Sequence, residues 1–258
     1  MNRYIVIGDI HGCIEEFVEL LDKVKFRPPE DKLYLVGDLI DRGPDPKGVL
    51  QHAMNLGARL IKGNHEEKML RWLNYETRRR VDPKFKNPID TSKIPEERQA
   101  EWLSFTDEQL AWVRRAPFTM TIRKPWIMVH AGMEPGFPLE GQRLEQAIRV
   151  RYVDQAGEAV GSGDAPFTPP PGTVYWTEAW KGPESVIYGH AVHSRRYPRI
   201  DAYENVDMLG IDTGCCYGGR LTAVVLTDEP GFEFVQVQAR KEYMRSPVVV
   251  PDEVSLLT

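Results

Sequence analysis

The sequence predicts an α/β fold, a single domain spanning residues 1–258 in which helices cover sheet. Three observations point there. Apolar runs and amphipathic stretches alternate from Arg3 to Tyr75. Beyond Phe118 the pattern turns strand-rich. No internal repeat or linker divides the chain, and 41% hydrophobic residues can fill a sizeable core.

Arg3 to Gly8 is a short apolar run ending in glycine, the pattern of a buried strand. Phe17, Leu20, Leu21 and Val24 recur at helical spacing, so residues 14–24 form an amphipathic helix. Leu33 to Val36 is a second strand, 46–56 a helix opening at Pro46, and Arg59 to Lys62 a third strand. A helix follows from His65 to about Tyr75. A polar cap or insertion then covers residues 76–116. Its first part holds Arg78, Arg79, Arg80, Lys84 and Lys86, a solvated charged face rather than a lid over substrate. Thr106 and Gln109 fit a capping box that opens a helix to about Arg115.

Phe118 to Arg123 and Trp126 to Val129 read as paired strands around a Lys-Pro turn. Residues 139–151 read as a helix and 154–172 as a loop. Val186 to Tyr188, Met208 to Ile211, Leu221 to Thr227 and Phe232 to Gln238 read as strands, the last two joined by an Asp-Glu-Pro-Gly hairpin turn. Pro247 and Pro251 suggest an extended tail.

The totals narrow the function. A net charge of −5 argues against a protein that coats nucleic acid, and no duplex partner is expected. The cysteines are Cys13, Cys215 and Cys216, too few for a disulfide framework, and they fit a reducing compartment. With no signal-peptide run and no membrane-length segment, the expected location is the cytoplasm and no membrane partner is expected.

The chemistry sits just after the strands. Asp9 and His11 follow the first, Asp38 the second, Asn64 and His65 the third. His130 and His190 follow the strands at Trp126 and Val186. Open sheets place ligand sites beyond the carboxyl ends of their strands, so separate segments deliver metal-type donors to one rim. Carboxylates, an amide oxygen and imidazoles suit divalent transition metals: manganese foremost, with iron, zinc, nickel or cobalt also accommodated. Two such ions can clamp a phosphate oxygen and provide hydroxide at neutral pH. Arg42, beside Asp41, offers a bidentate fork for phosphate. Single histidines such as His52 and His193 read as structural or solvent-exposed. Tyr175, Trp176 and Trp180 read as packing.

The segments Gly8-Asp9-Ile10-His11-Gly12, Gly37-Asp38 with Asp41-Arg42-Gly43, Gly63-Asn64-His65-Glu66, Val129-His130-Ala131-Gly132 and Gly189-His190 resemble the calcineurin-like metallophosphoesterases, and among them the phosphoprotein phosphatases. The resemblance implies a four-layer α/β/β/α sandwich. It implies Asp9, His11 and a bridging Asp38 on one metal, with Asn64, His130 and His190 joining Asp38 on the other. It implies that His65, supported by Asp41, protonates the leaving oxygen, while Arg42 and Asn64 contact the phosphate with Arg149 or Arg151. In-line attack on phosphorus leaves the cysteines without a nucleophilic role, so they read as packing.

The stretch Gly210-Ile-Asp-Thr-Gly-Cys-Cys-Tyr-Gly-Gly-Arg-Leu-Thr resembles the bacterial diadenosine tetraphosphate hydrolases, as does Arg149-Val-Arg-Tyr-Val-Asp. A dinucleoside polyphosphate is therefore the expected substrate. Asp41 and Glu66 match protein phosphatases instead, which keeps a phosphoprotein substrate open. A non-catalytic metal-binding scaffold is the third reading.

Overall fold

The computed structural model describes residues 2–161 and 168–245, so the expectation for Pro247 and Pro251 lies outside it. Strand β1 (Arg3–Ile7) leads into helix α1 (Ile14–Lys23), β2 (Asp31–Leu35), α2 (Pro46–Asn55), β3 (Arg59–Leu60) and α3 (Asn64–Val81). Each helix has a local cause. Phe17, Leu20 and Leu21 give α1 one buried face. Asp45 caps α2 by accepting from the Gly48 N–H at 2.8 Å, with Pro46 in its first turn. Helix α3 runs past Tyr75, taking Arg78, Arg79 and Arg80 into its last turn, where cations suit the dipole.

The cap contains α4 (Glu96–Ser104) and α5 (Asp107–Arg115). Thr106 and Gln109 form the expected capping box. Arg78, Arg79, Arg80, Lys84 and Lys86 are exposed; Arg79 pairs with Glu76 at 2.6 Å and Arg78 lies 4.3 Å over the Phe85 ring. The cap's inner side is apolar and buried: Trp102 is fully buried and meets Trp72 of α3 edge-on, ring centroids 5.5 Å apart.

Strands β4 (Thr119–Arg123) and β5 (Trp126–Val129) pair antiparallel as expected. The helix expected over 139–151 is absent as such. A 3-10 turn at 139–141 and the short α6 (Leu144–Ala147) give way to β6 (Tyr152–Val153). Ala147, Ile148, Val150 and Tyr152 all bury, and such crowding fits a folded-over segment better than one helical stripe. The described part of 154–172 is not all loop either, because β7 (Ala159–Val160) pairs with β6. Next come β8 (Val174–Tyr175), α7 (Trp176–Ala179), β9 (Ser185–Tyr188), β10 (Arg199–Tyr203), β11 (Val206–Gly210), β12 (Arg220–Thr227) and β13 (Phe232–Gln238).

Two five-stranded sheets result, ordered β13-β12-β1-β2-β3 and β10-β11-β9-β5-β4, with a small third sheet β7-β6-β8. Within them β1, β2 and β3 are parallel, as are β5, β9 and β11. Period-two alternation divides the side chains between layers. Ile5 and Ile7 face the helices, whereas Tyr4 and Val6 face the second sheet. Met128, Ile187 and Leu209 meet them there, and Ile127, Val129, Val186 and Tyr188 pack on the outer side against Trp176 and Trp180. Each fully buried aliphatic side chain contributes about 1.5–3 kcal/mol, so a one-residue register slip would be costly. The mixed α/β architecture is as expected, two central sheets flanked by helices. The outermost layer is thin, built from α6, α7 and the third sheet.

Candidate active site

The parallel strands of both sheets end on one rim. After β1 the chain turns through Asp9, Ile10 and His11, and the loop after β2 is stitched to it: His11 N–H donates to the Asp38 carbonyl at 2.9 Å, and Gly12 N–H to that of Leu39 at 2.8 Å. Glycine is required at two close approaches. A Cβ on Gly63 would run into the Asp38 carboxylate, and one on Gly189 into the Asp9 carboxylate.

Glu66, in the first turn of α3, holds the second loop. Its carboxylate accepts from the N–H groups of Asp38 and Leu39, each at 2.8 Å, and of Gly63 at 2.9 Å. Burial pushes its carboxyl above the usual range against these bonds. The loops need such clamps: His11, Asp38, Asp41, Arg42 and His190 all have positive φ, a conformation costing about 1–2 kcal/mol per residue.

Asp38 stands at the centre. Its Oδ2 lies 3.6 Å from His11 Nε2, 3.4 Å from His130 Nε2 and 3.8 Å from His65 Nε2. His11 and His130 each turn Nδ1 to a backbone carbonyl, of Ile40 and Val36 respectively, both at 2.8 Å. Both rings thereby present Nε2 to Asp38. The Asn64 side-chain oxygen is 3.0 Å from His130 Nε2 and 2.9 Å from His190 Nδ1. Asp9 accepts from the His190 backbone N–H at 3.1 Å.

Donor atoms of Asp9, Asp38 and His130 lie within 4.8 Å of one another, as do those of His11, Asp38 and His65. Asp38 is common to both groups, which suits a bridging carboxylate. His65 was expected as an acid, and here it also stands within ligand distance of His11 and Asp38.

The electrostatics ask for cations. Burial, then the charges of Asp212 and Asp38, push the Asp9 carboxyl well above its usual value. Burial and neighbouring Arg42 hold His11 well below its own, and burial and Arg151 do the same to His190. A divalent ion would favour the ionised carboxylate that burial opposes at Asp9, and would take the lone pairs of His11 and His190, which burial keeps neutral. His190 Nε2 is a buried nitrogen without a hydrogen-bond partner. The residues fit two metal ions.

Beside the ligands lies a proton-handling pair. His65 Nδ1 donates to Asp41 Oδ2 at 2.5 Å. Arg42 donates to His65 Nε2 at 3.0 Å and to His11 Nε2 at 2.6 Å, and its guanidinium lies 5.2 Å from the Tyr217 ring centre. Of the two arginines left open, Arg151 is the one among the site's charges. Its buried Nε has no partner, burial lowers its pKa, and Tyr175, Asp212 and Arg42 act on it. Arg149 is exposed and pairs with Glu67 at 2.5 Å.

Sequence reading passed over Asp212 as a site residue. It follows β11 in Ile-Asp-Thr-Gly, is 6% exposed, and raises Asp9 by its charge. Its position after a buried strand was the available signal. Trp102 was missed as well; its indole N–H donates to Asp41 Oδ1 at 2.7 Å. His52 packs edge-on against Phe17, and His193 Nε2 lies 3.0 Å from the Tyr175 hydroxyl. Cys13, Cys215 and Cys216 are buried and free.

Residues 3–194, well over half the chain, match the calcineurin-like phosphoesterase family. The chain belongs to that family. It is thus a phosphoesterase, a hydrolase whose family uses divalent metal ions. It is 26% identical to the symmetrical bis(5'-nucleosyl)-tetraphosphatase of Erwinia tasmaniensis, covering 95% of this chain and 100% of that one. A solved structure with a provisional diadenosine tetraphosphatase assignment superposes with a TM-score of 0.72 at 27% identity, covering 92% of this chain and 93% of the other. The cold-active protein-tyrosine phosphatase of a psychrophilic Shewanella shares the fold at 15% identity and a TM-score of 0.53, over 92% of this chain and 80% of its own. No helix among the described residues is long and apolar enough to cross a membrane.

Proposed function

We propose that this phosphoesterase hydrolyses dinucleoside polyphosphates of the diadenosine tetraphosphate type. The observation carrying the reading is a pair of guanidiniums flanking one ligand cluster. Arg42 touches His11 and His65, while Arg151 acts on His190 and is itself held in the field of Asp212. A substrate with several phosphates needs cationic contacts beyond the one that grips the reacting group. Full-length likeness to symmetrical tetraphosphatases supports the same substrate.

In this reading Asp9, His11 and Asp38 hold one metal ion, and Asp38, Asn64, His130 and His190 hold the second, with manganese the proposed ion. Bound divalent ions supply Lewis acidity toward a phosphoryl oxygen and lower the pKa of a bound water to about 7. The chain's own residues do the rest. Arg42, Asn64 and Arg151 orient the phosphate oxygens. His65 gives a proton to the leaving oxygen, and Asp41 fixes the orientation of the imidazole through Nδ1. Buried free cysteines suit a reducing compartment, and we read the enzyme as cytoplasmic.

The Asp41–His65 bond and the Glu66 clamp favour a second reading, a protein phosphatase, whose sequence pattern they match. Rates measured side by side on diadenosine tetraphosphate, a phosphopeptide and an aryl phosphate, with manganese present, decide between them. Release of nucleoside diphosphates at the highest kcat/KM is expected. Much faster turnover of the phosphopeptide would replace the first reading with the second.

A further inference from the structure

Asp41 is held from the cap as well as from the rim. One carboxylate oxygen, Oδ2, accepts from His65 Nδ1 at 2.5 Å. The other, Oδ1, accepts from Trp102 Nε1 at 2.7 Å and lies 3.6 Å from Arg98 Nε. Trp102 and Arg98 are four residues apart on α4 and so share one helical face. Trp102 is fully buried, and Arg98 is mostly so.

The contacts close a circuit. Helix α3 carries His65 in its first turn and Trp72 about two turns later. Trp72 meets Trp102 edge-on, Trp102 grips Asp41, and Asp41 grips His65. A carboxylate anchored through one oxygen alone swings easily, because the terminal torsion of aspartate is broad. Anchoring both oxygens fixes the line along which the imidazole is held. A buried indole N–H also needs an acceptor, so Trp102 and Asp41 satisfy each other.

We propose that Trp102 and Arg98 are positioning residues for proton donation: they fix Asp41 so that His65 meets the leaving oxygen. This rests on the reading of His65 as the proton donor. In this role both act through Asp41, and neither is assigned a phosphate contact. Their effect is therefore confined to substrates whose leaving oxygen needs a proton, whereas a merely structural tryptophan would affect all substrates alike.

The test uses the manganese-loaded full chain and two esters, nitrophenyl phosphate with a good leaving group and phenyl phosphate with a poorer one. Trp102→Phe is expected to lower kcat on phenyl phosphate about tenfold and on nitrophenyl phosphate less than about twofold, with KM and bound metal unchanged. Arg98→Gln, on α4 and less buried than Trp102, is expected to act in the same direction by about threefold, and it carries the test if Trp102→Phe does not fold. In an Asp41→Asn background both substitutions are expected to cost nothing further, because they act through Asp41. Equal losses on the two esters, or full additivity with Asp41→Asn, overturn the proposal while leaving the acid role intact. If Asp41→Asn itself costs no more on phenyl phosphate than on nitrophenyl phosphate, the acid reading fails and the proposal falls with it.

Discussion

From the first sheet the site receives whole loops; from the second it receives single residues. The loops after β1 and β2 are tied to each other by backbone hydrogen bonds and to α3 by Glu66, and together they present Asp9, His11, Asp38, Asp41, Arg42, Asn64 and His65. The second sheet sends His130 from β5, His190 from β9 and Asp212 from β11, and Arg151 arrives from the segment before β6. Strained backbone follows the same division, with four of the five positive-φ site residues on the first sheet's loops: His11, Asp38, Asp41 and Arg42. A cross-linked loop set can hold several groups in fixed relation, as proton transfer and a bridging carboxylate require. Single residues at strand ends suffice to complete a coordination shell.

The sharpest way to break this comparison is at its centre. Asp38→Asn is expected to lower kcat/KM about a thousandfold and to reduce bound manganese below two ions per chain. Steady-state kinetics and metal analysis check it, and near-native activity would dismantle the shared-ligand arrangement. Next in size is the arginine contrast. Arg151→Met is expected to lower kcat/KM on diadenosine tetraphosphate about thirtyfold and on an aryl phosphate less, since the longer substrate has more phosphates to contact. Arg149→Met, which removes only an exposed pair with Glu67, should leave both rates within about twofold. The reverse ranking would reassign the phosphate contact to Arg149.

Glu66 separates clamp from chemistry. Glu66→Gln keeps the shape but turns an amide NH2 toward backbone N–H groups that need an acceptor. The expected loss is about 2 kcal/mol of stability, read by denaturant titration, with a lowered kcat because Asp38 moves with its loop. Unchanged stability would mean that the loops hold themselves.

The same comparison explains what could be read from the sequence. The first half was legible because Ile5, Ile7, Leu33 and Leu35 alternate into a core and each strand ends in a glycine-bounded donor. All six expected ligand positions come together around Asp38 or Asn64. The second half was harder. Two-residue strands such as Tyr152–Val153 have no period to detect, and Ala147, Ile148 and Val150 imitate a helix. Strand β10, Arg199–Tyr203, is an edge strand with no buried residue and was missed for that reason. The Trp102–Asp41 bond spans 61 residues and is set by how α4 packs on α3, which no local pattern encodes.

The smallest effect tests whether the cap shares in the electrostatics of the rim. Glu101 sits on α4, one residue before Trp102, half-exposed. Burial, and then the charge of Asp41, push its carboxyl up to about 7 against the pull of Arg98. The folded chain therefore binds this proton more tightly than the unfolded chain, whose carboxyl keeps a value near 4.5. Its contribution to stability is fully present below that lower value and is lost as pH rises through about 7. Glu101→Gln removes this dependence. The variant should melt about one or two degrees above the parent at pH 8 and show no such advantage at pH 4. Melting curves that stay parallel across this range would mean that the Asp41 charge is not felt at Glu101, and that the cap meets the rim only through Trp102 and Arg98.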